Sequence, residues 1–268
     1  MFFEGVNHSV SHNVMQEMRR ATRGFFGLPL EVKQKWTMKE GEIFGFGRFN
    51  VGNQLGVTDW VDLLAHFVAP ESFLNDETKE PQNFVQSMCA LVSESLGLEP
   101  DYIQKTSGGA LRLNYYPPCP EPNKVLGLGS HSDGGTFTIL MQDGSAAGLQ
   151  VLHKGQWITV NMNYPNALLV NVADMLEVVI SNGRYTSVNH HAIVNKDEER
   201  YSIVLFYYPE MAPDVYVRPA PSLLTKNKPA MYKEVTYLEY ISFYLQQRMP
   251  GKSRIDSLKI NKAEAPSL

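Results

Sequence analysis

From Gly108 onward the hydrophobic residues recur at every second position, whereas upstream they recur at every third or fourth. Neighbouring side chains on a strand point to opposite faces, while a helix stacks i, i+3 and i+4 on one face. The change of period therefore marks a change from helix to sheet. The segment 110–116 alternates and stops at Pro117-Pro118. Further strands are predicted over 136–141, 148–152, 157–162, 167–172, 187–194 and 201–208. Turn signals separate them at Asp143-Gly144, Lys154-Gly155, Tyr164-Pro165-Asn166 and Asn182-Gly183. Many short strands at near-regular spacing specify a β-sandwich or barrel.

The flanks read as helix. Ser9 or Ser11 can cap a helix running to about Phe26, with Val14, Met15, Met18, Ala21 and Phe25 as its apolar stripe. Pro29 interrupts it, and 30–36 reads as one or two further turns. The glycine-rich stretch 41–58 reads as loop or short irregular strand. Pro81 opens a helix carrying Phe84, Met88, Leu91, Val92 and Leu96, with Gly97 at its C-cap. Pro100 opens a short helix to about Thr106, and a last helix is expected over 229–247. The layout is mainly β with flanking helices: a helical region over 1–107, a β core over 108–211, and a loop, helix and tail over 212–268.

Composition narrows the partners. At 268 residues and 43% hydrophobic, the chain can bury a sizeable core. Lys+Arg number 24 against 28 Asp+Glu, so no excess positive charge exists to hold a nucleic acid. Two cysteines, Cys89 and Cys119, exclude a disulfide scaffold and point to a reducing compartment, hence the cytoplasm. No apolar run reaches the roughly 20 residues of a membrane span, and the start lacks the basic flank of a signal peptide. A small-molecule partner and a monomer are expected.

Three groups of polar residues fall on or beside the predicted strands. His131 and Asp133 are two apart, so on extended backbone their side chains share a face and could approach one ion; a solvated polar turn is the simpler alternative. Alternation allows only one of His190 and His191 to face inward. Two His and one carboxylate with open positions form the facial triad of non-haem Fe(II) oxygenases. Arg200 and Ser202 share a strand face and could grip a carboxylate, although Arg200 could instead pair with Glu198 or Glu199 on an exposed edge. Asn114 and Tyr116 likewise share a face, with hydrogen-bonding tips that could reach the same carboxylate.

Taken in order, these segments resemble the plant-type 2-oxoglutarate and Fe(II)-dependent dioxygenases, the family of anthocyanidin synthase and flavonol synthase. The motifs are Phe2-Phe3-x-x-Val6-Asn7-His8, the segment 114–120 (Asn-Tyr-Tyr-Pro-Pro-Cys-Pro), Leu126-Gly127-x-Gly129-x-His131-Ser132-Asp133, Gly148-Leu149-Gln150-Val151, the run from Ser181-Asn182-Gly183 to His190, Arg200-Tyr201-Ser202, and Lys252-Ser253. The resemblance implies a double-stranded β-helix, or jelly roll. It implies iron held by His131, Asp133 and His190, since the family places its second metal His after Ser-Val-x. It implies 2-oxoglutarate held by Arg200, Ser202 and Tyr116, with Asn114 near the iron-bound end. O2 is the co-oxidant, ascorbate a possible reductant, and succinate and CO2 the co-products. The expected outcome is hydroxylation or desaturation of a flavonoid, hormone or alkaloid. Arg112, Phe206, Tyr208 and Phe46, with Phe67, are expected to line the substrate mouth.

The chain departs from the family pattern in three places. It opens inside the family's N-terminal region, which would leave a sheet edge exposed. Ser9 stands where the family has Gly, and His191 where Arg often follows the second metal His. His191 is expected to face outward. Three other readings remain open: an ascorbate-using oxidase resembling aminocyclopropane-carboxylate oxidase, an inactive jelly-roll binding protein, and a zinc hydrolase with the same three ligands. Cosubstrate dependence separates the first, and metal content the second. The third leaves Arg200, Ser202, Asn114 and Tyr116 without a purpose.

Overall fold

The computed structural model of the chain describes residues 1–8, 10–39, 44–47, 59–68, 90, 93–94, 97–102, 107–144, 147–211, 213–247 and 253–260. The strands of its two main sheets are β1 (Phe2–Gly5), β2 (Gly45–Gly47), β3 (Asp62–Val68), β4 (Ser107–Tyr116), β5 (Leu128–His131), β6 (Phe137–Asp143), β7 (Leu149–His153), β8 (Gln156–Thr159), β9 (Leu168–Val172), β10 (His190–Ala192) and β11 (Arg200–Pro209). They form a larger sheet in the order β1-β9-β6-β11-β4-β3-β2 and a smaller one in the order β5-β10-β7-β8. Every strand pair in both sheets is antiparallel. From β4 to β11 the chain passes back and forth between the two sheets, which is the winding of a double-stranded β-helix.

The alternation seen in the sequence sorts the larger sheet into two different faces. Leu111, Leu113 and Tyr115 of β4 join Phe137, Ile139 and Met141 of β6, Val170 and Val172 of β9, and Tyr201 and Ile203 of β11 in one apolar layer. That layer packs on Met15, Phe26 and their neighbours from α1 (His12–Phe26). The intervening positions, among them Arg112, Asn114, Thr138, Asn171, Arg200 and Ser202, turn the other way and line a cavity between the sheets. The largest hydrophobic cluster thus lies outside the larger sheet, and the polar residues share the inside of the roll with apolar ones such as Leu140 and Val204. Ser11 caps α1 by accepting from the Val14 N–H at 3.3 Å. The stripe differs from the expected one: Thr22 and Phe26 are buried, and Ala21 faces solvent. Thr22 is tolerated there because its hydroxyl donates to the Met18 carbonyl at 2.7 Å.

Several elements differ from expectation. Residues 1–107 are not helical throughout, because β1, β2 and β3 belong to the larger sheet. β1 covers the edge of β9 through four residue pairs from Phe2↔Asn171 to Gly5↔Leu168. β3 carries adjacent apolar residues, Leu63-Leu64-Ala65, and so lacks the alternation that announces a strand. The predicted strand over 187–194 shrinks to β10, since the Ser187 N–H donates to Glu177 at 2.6 Å and not to a neighbouring strand. The helix expected over 229–247 begins at Tyr237, not at Pro229, and a further short helix, Ser253–Leu258, follows where a tail was expected. Thr236 and Glu239 set that start with a capping box, Thr236 N–H to Glu239 at 2.9 Å and Glu239 N–H to Thr236 at 3.2 Å. Most of the helix predicted from Pro81 and of the stretch 41–58 lies outside the described residues. Gly97 does close a helical turn with φ +76°, as the Gly97 N–H reaches the Glu94 carbonyl and the Leu98 N–H reaches Ser93.

Candidate metal and cosubstrate site

His131 ends β5 and His190 starts β10, and the two are register partners across the smaller sheet. Asp133 follows two residues after His131, so its carboxylate returns to the same side. All three are buried, and one ligand atom from each lies within 4.8 Å of the others. Both His Nε2 atoms stand 3.6 Å from Asp133 Oδ1. The other atoms of each group are already engaged. His131 Nδ1 bonds the Gly129 carbonyl at 2.8 Å, and His190 Nδ1 bonds the Val188 carbonyl at 3.0 Å. A carbonyl only accepts, so each Nδ1 carries the proton and each Nε2 lone pair is left for a metal. Asp133 Oδ2 accepts from Thr138 at 2.6 Å and from Asn171 at 2.8 Å, which leaves Oδ1 toward the two imidazoles.

The protonation states suit a cation. Burial works against charge on Asp133, but the His190 and His131 rings and the Thr138 hydroxyl outweigh it and hold the carboxyl far below its usual range. Burial pushes the His190 imidazole down, against the pull of Asp133. An ionised carboxylate oxygen facing two imidazole Nε2 atoms is the donor set that a divalent metal requires. The donor set, two nitrogens and one oxygen on the wall of a cavity, fits Fe(II).

The same cavity, about 490 Å³ including its mouth, receives Arg200 and Ser202 from β11 and Asn114 and Tyr116 from β4. Register places Arg200 opposite Tyr116 and Ser202 opposite Asn114. The Arg200 guanidinium lies over the Tyr116 ring at 4.9 Å and makes a long hydrogen bond to Gln142 at 3.4 Å. Its Nε and Nη1 are buried without partners. Burial lowers the Arg200 pKa, against the pull of Tyr116. Arg200 does not form the strand-edge ion pair: Glu199 instead meets Arg23, Tyr115 and Tyr201. Ser202 accepts from Asn114 Nδ2 at 3.0 Å, and Asn114 Oδ1 accepts from Arg112 Nε at 2.7 Å. Two glycines make room for the Arg200–Tyr116 pair. A Cβ on Gly148 would stand 2.7 Å from Arg200 Cδ, and one on Gly127 would stand 2.8 Å from the Tyr116 ring.

Of the expected substrate residues, Arg112 and Phe206 line the cavity. Phe46 and Tyr208 do not. Phe46 sits on the edge strand β2, packed in the outer core against Phe25 at 5.8 Å. Tyr208 lies at the far end of β11, beyond the cavity, and stacks on Tyr237, the first residue of the helix Tyr237–Gln247, at 5.5 Å. Phe67 pairs with Ala110 through its backbone, and its side chain lies outside the described residues. His191 does not face outward as expected: it is buried and borders the cavity, stacked on Trp157 at 3.8 Å and bonded to Gln150 at 2.7 Å. Sequence reasoning missed Thr138, Asn171, Gln142 and the cavity face of Phe2, whose ring meets His190 edge-on at 5.6 Å. Carrying the Arg200–Ser202 face across the register would have found three of them, because Ser202 pairs with Gln142, Phe206 with Thr138, and Thr138 with Asn171.

Comparison with known proteins agrees with this arrangement. Residues 107–209 match the 2OG-Fe(II) oxygenase superfamily, and residues 2–87 match the N-terminal region described as non-haem dioxygenase in morphine synthesis. Jasmonate-induced oxygenase 4 of Arabidopsis thaliana is 38% identical over 288 aligned positions, covering 97% of this chain and 79% of that protein. Thebaine 6-O-demethylase of Papaver somniferum is 34% identical, covering 97% and 76%. A crystal structure of JOX2 in complex with 2OG, Fe and JA superposes with a TM-score of 0.88 at 32% identity, covering 97% of this chain and 82% of that one. Likeness in sequence and in fold runs along nearly the whole chain and takes in both strand-borne clusters, so the chain belongs to the 2OG-Fe(II) oxygenase superfamily and is a 2-oxoglutarate-dependent dioxygenase.

Proposed function

We propose that His131, Asp133 and His190 hold the ferrous ion, and that Arg200, Ser202, Tyr116 and Asn114 receive 2-oxoglutarate beside it. The observation that carries this reading is the Arg200 side chain. A buried guanidinium with two unpartnered nitrogens gains most from a carboxylate that can accept from both. Ser202 accepts from Asn114 and keeps its own proton to donate toward the same carboxylate. Bound iron, with 2-oxoglutarate and O2, supplies the oxidising chemistry whose co-product is succinate. The chain contributes orientation and dryness. Thr138 and Asn171 fix the Asp133 carboxylate, and Leu140, Leu149, Val204 and Phe206 wall the cavity with apolar surface.

The substrate in this proposal is a small plant-type metabolite of the hormone, alkaloid or flavonoid class, which is hydroxylated or desaturated. The names of the relatives, jasmonate-induced oxygenase, thebaine 6-O-demethylase and flavonoid 7-O-demethylase, support that range. Arg112 keeps one buried nitrogen, Nη2, without a partner, which favours a substrate bearing a carboxylate or another acceptor; Phe206 offers an aromatic face. A monomer in the cytoplasm without a nucleic-acid partner completes the reading and rests on charge and cysteine content. Among the described residues no helix is long and apolar enough to cross a membrane.

The test is succinate formation from 2-oxoglutarate with added Fe(II), run with a panel of small acids, alkaloids and flavonoids. Wild type is expected to form succinate, faster with its substrate, and His131→Ala to form none. Equal succinate from the two proteins would overturn the assignment.

A further inference from the structure

Asp174 is fully buried, is not among the residues that line the cavity, and yet binds every segment that carries a metal ligand. Its Oδ2 accepts from the Ser132 hydroxyl at 3.0 Å and from the Tyr240 hydroxyl at 2.7 Å, and its Oδ1 accepts from the Ser187 hydroxyl at 2.8 Å. Its backbone N–H donates to the Asp133 carbonyl at 2.8 Å, and the N–H groups of Ala173 and Met175 reach the carbonyls of Thr136 and Gly135. Ser132 lies between His131 and Asp133 and faces the opposite way, so holding its hydroxyl from behind fixes how both ligands are presented. Ser187 precedes Val188, whose carbonyl orients the His190 ring through Nδ1. Tyr240 belongs to the helix Tyr237–Gln247, which is distant in sequence from every ligand.

We propose that Asp174 is a positioning residue for the metal centre, and that through Tyr240 it makes metal affinity depend on the docked helix Tyr237–Gln247. The inference rests on the reading of His131, Asp133 and His190 as the metal ligands. An anion accepting three hydroxyl bonds in a dry site holds its partners at fixed distances, because each bond is charge-assisted and no water competes. A carboxylate is needed there. An amide in its place would turn one oxygen into an NH₂ donor facing hydroxyls that are themselves donating.

The experiment titrates metal-free protein with Co(II), following both the affinity and the visible spectrum of the bound ion. Asp174→Asn is expected to weaken Co(II) binding about tenfold or more and to shift the spectrum, as loss of a ligand-orienting partner does. Tyr240→Phe and Ser187→Ala each remove one hydroxyl bond and are expected to weaken it about threefold to tenfold. Ser11→Ala, which uncaps the remote α1, is the stability control: it lowers the melting temperature and leaves Co(II) affinity and spectrum at wild-type values. If Tyr240→Phe and Ser187→Ala behave like this control, the proposal is wrong, and these two variants decide the matter even where Asp174→Asn does not fold. Wild-type protein that takes up no Co(II) would instead overturn the ligand assignment and this inference with it.

Discussion

Arg200 sets the electrostatics of the cavity. A buried cation without an anionic partner costs several kcal/mol of desolvation, and a well-packed apolar residue of similar size is often neutral or stabilising in such a place, by about 1–4 kcal/mol. Arg200→Met is therefore expected to keep or raise the melting temperature of the metal-free protein. The same change should raise the KM for 2-oxoglutarate at least about tenfold, since hydrogen bonds to charged groups are worth about 1.5–3 kcal/mol. Steady-state assays with varied 2-oxoglutarate, alongside thermal melts, check both halves. Gly148→Ala approaches the same point sterically: its new Cβ meets Arg200 Cδ at 2.7 Å and the Ile193 carbonyl at 3.2 Å. It should raise the KM for 2-oxoglutarate with little change in metal affinity. The residues of this site whose meaning lay in short spacing, His131 with Asp133 and Arg200 with Ser202, were legible in the chain. Thr138, Asn171 and Gln142 were not, because their roles arise only when register places them across from β11 or β9.

At the scale of elements, strand-to-face assignment was the most legible part of the fold. β4, β6, β7, β9 and β11 fall where alternation put them, because one face of each meets either apolar core or cavity. The start of the helix Tyr237–Gln247 was not. Pro229 suggested it, but a reciprocal pair, Thr236 and Glu239, satisfies the first free N–H groups and moves the start to Tyr237. Thr236→Ala should cost about 1 kcal/mol in urea unfolding, the usual price of a lost N-cap. Glu239 adds a pH dependence of known sign. The Thr236 backbone N–H, then its hydroxyl, holds the Glu239 carboxyl below its usual value of 4.5. A carboxyl with a depressed folded pKa contributes stability above its unfolded value and loses that contribution as pH falls through the folded one. The stability gap between wild type and Glu239→Ala should thus be full at pH 7 and narrow below about pH 4.5.

At the scale of the molecule, the roll is sealed on one side by α1, tied down by the Arg23–Asp143 contact at 2.7 Å, and at one sheet edge by β1, which also lays Phe2 against His190. β1 and β3 escaped a reading based on period because one is very short and the other is apolar in runs. Long-range pairing, and no local signal, makes them strands. Ligands that bind only the folded state raise its stability. Metal and 2-oxoglutarate, each at 100-fold its Kd, should together add about 5.4 kcal/mol and on the order of 10–20 °C in Tm, by scanning calorimetry under nitrogen. The central claim, one ion held by three side chains with the cosubstrate anchored beside it, is tested most directly by diffraction from crystals grown anaerobically with Fe(II) and 2-oxoglutarate, with data collected at the iron edge. The account predicts one anomalous peak bonded to His131, Asp133 and His190, and a carboxylate against Arg200 and Ser202. A peak elsewhere, or 2-oxoglutarate bound away from Arg200, would contradict it.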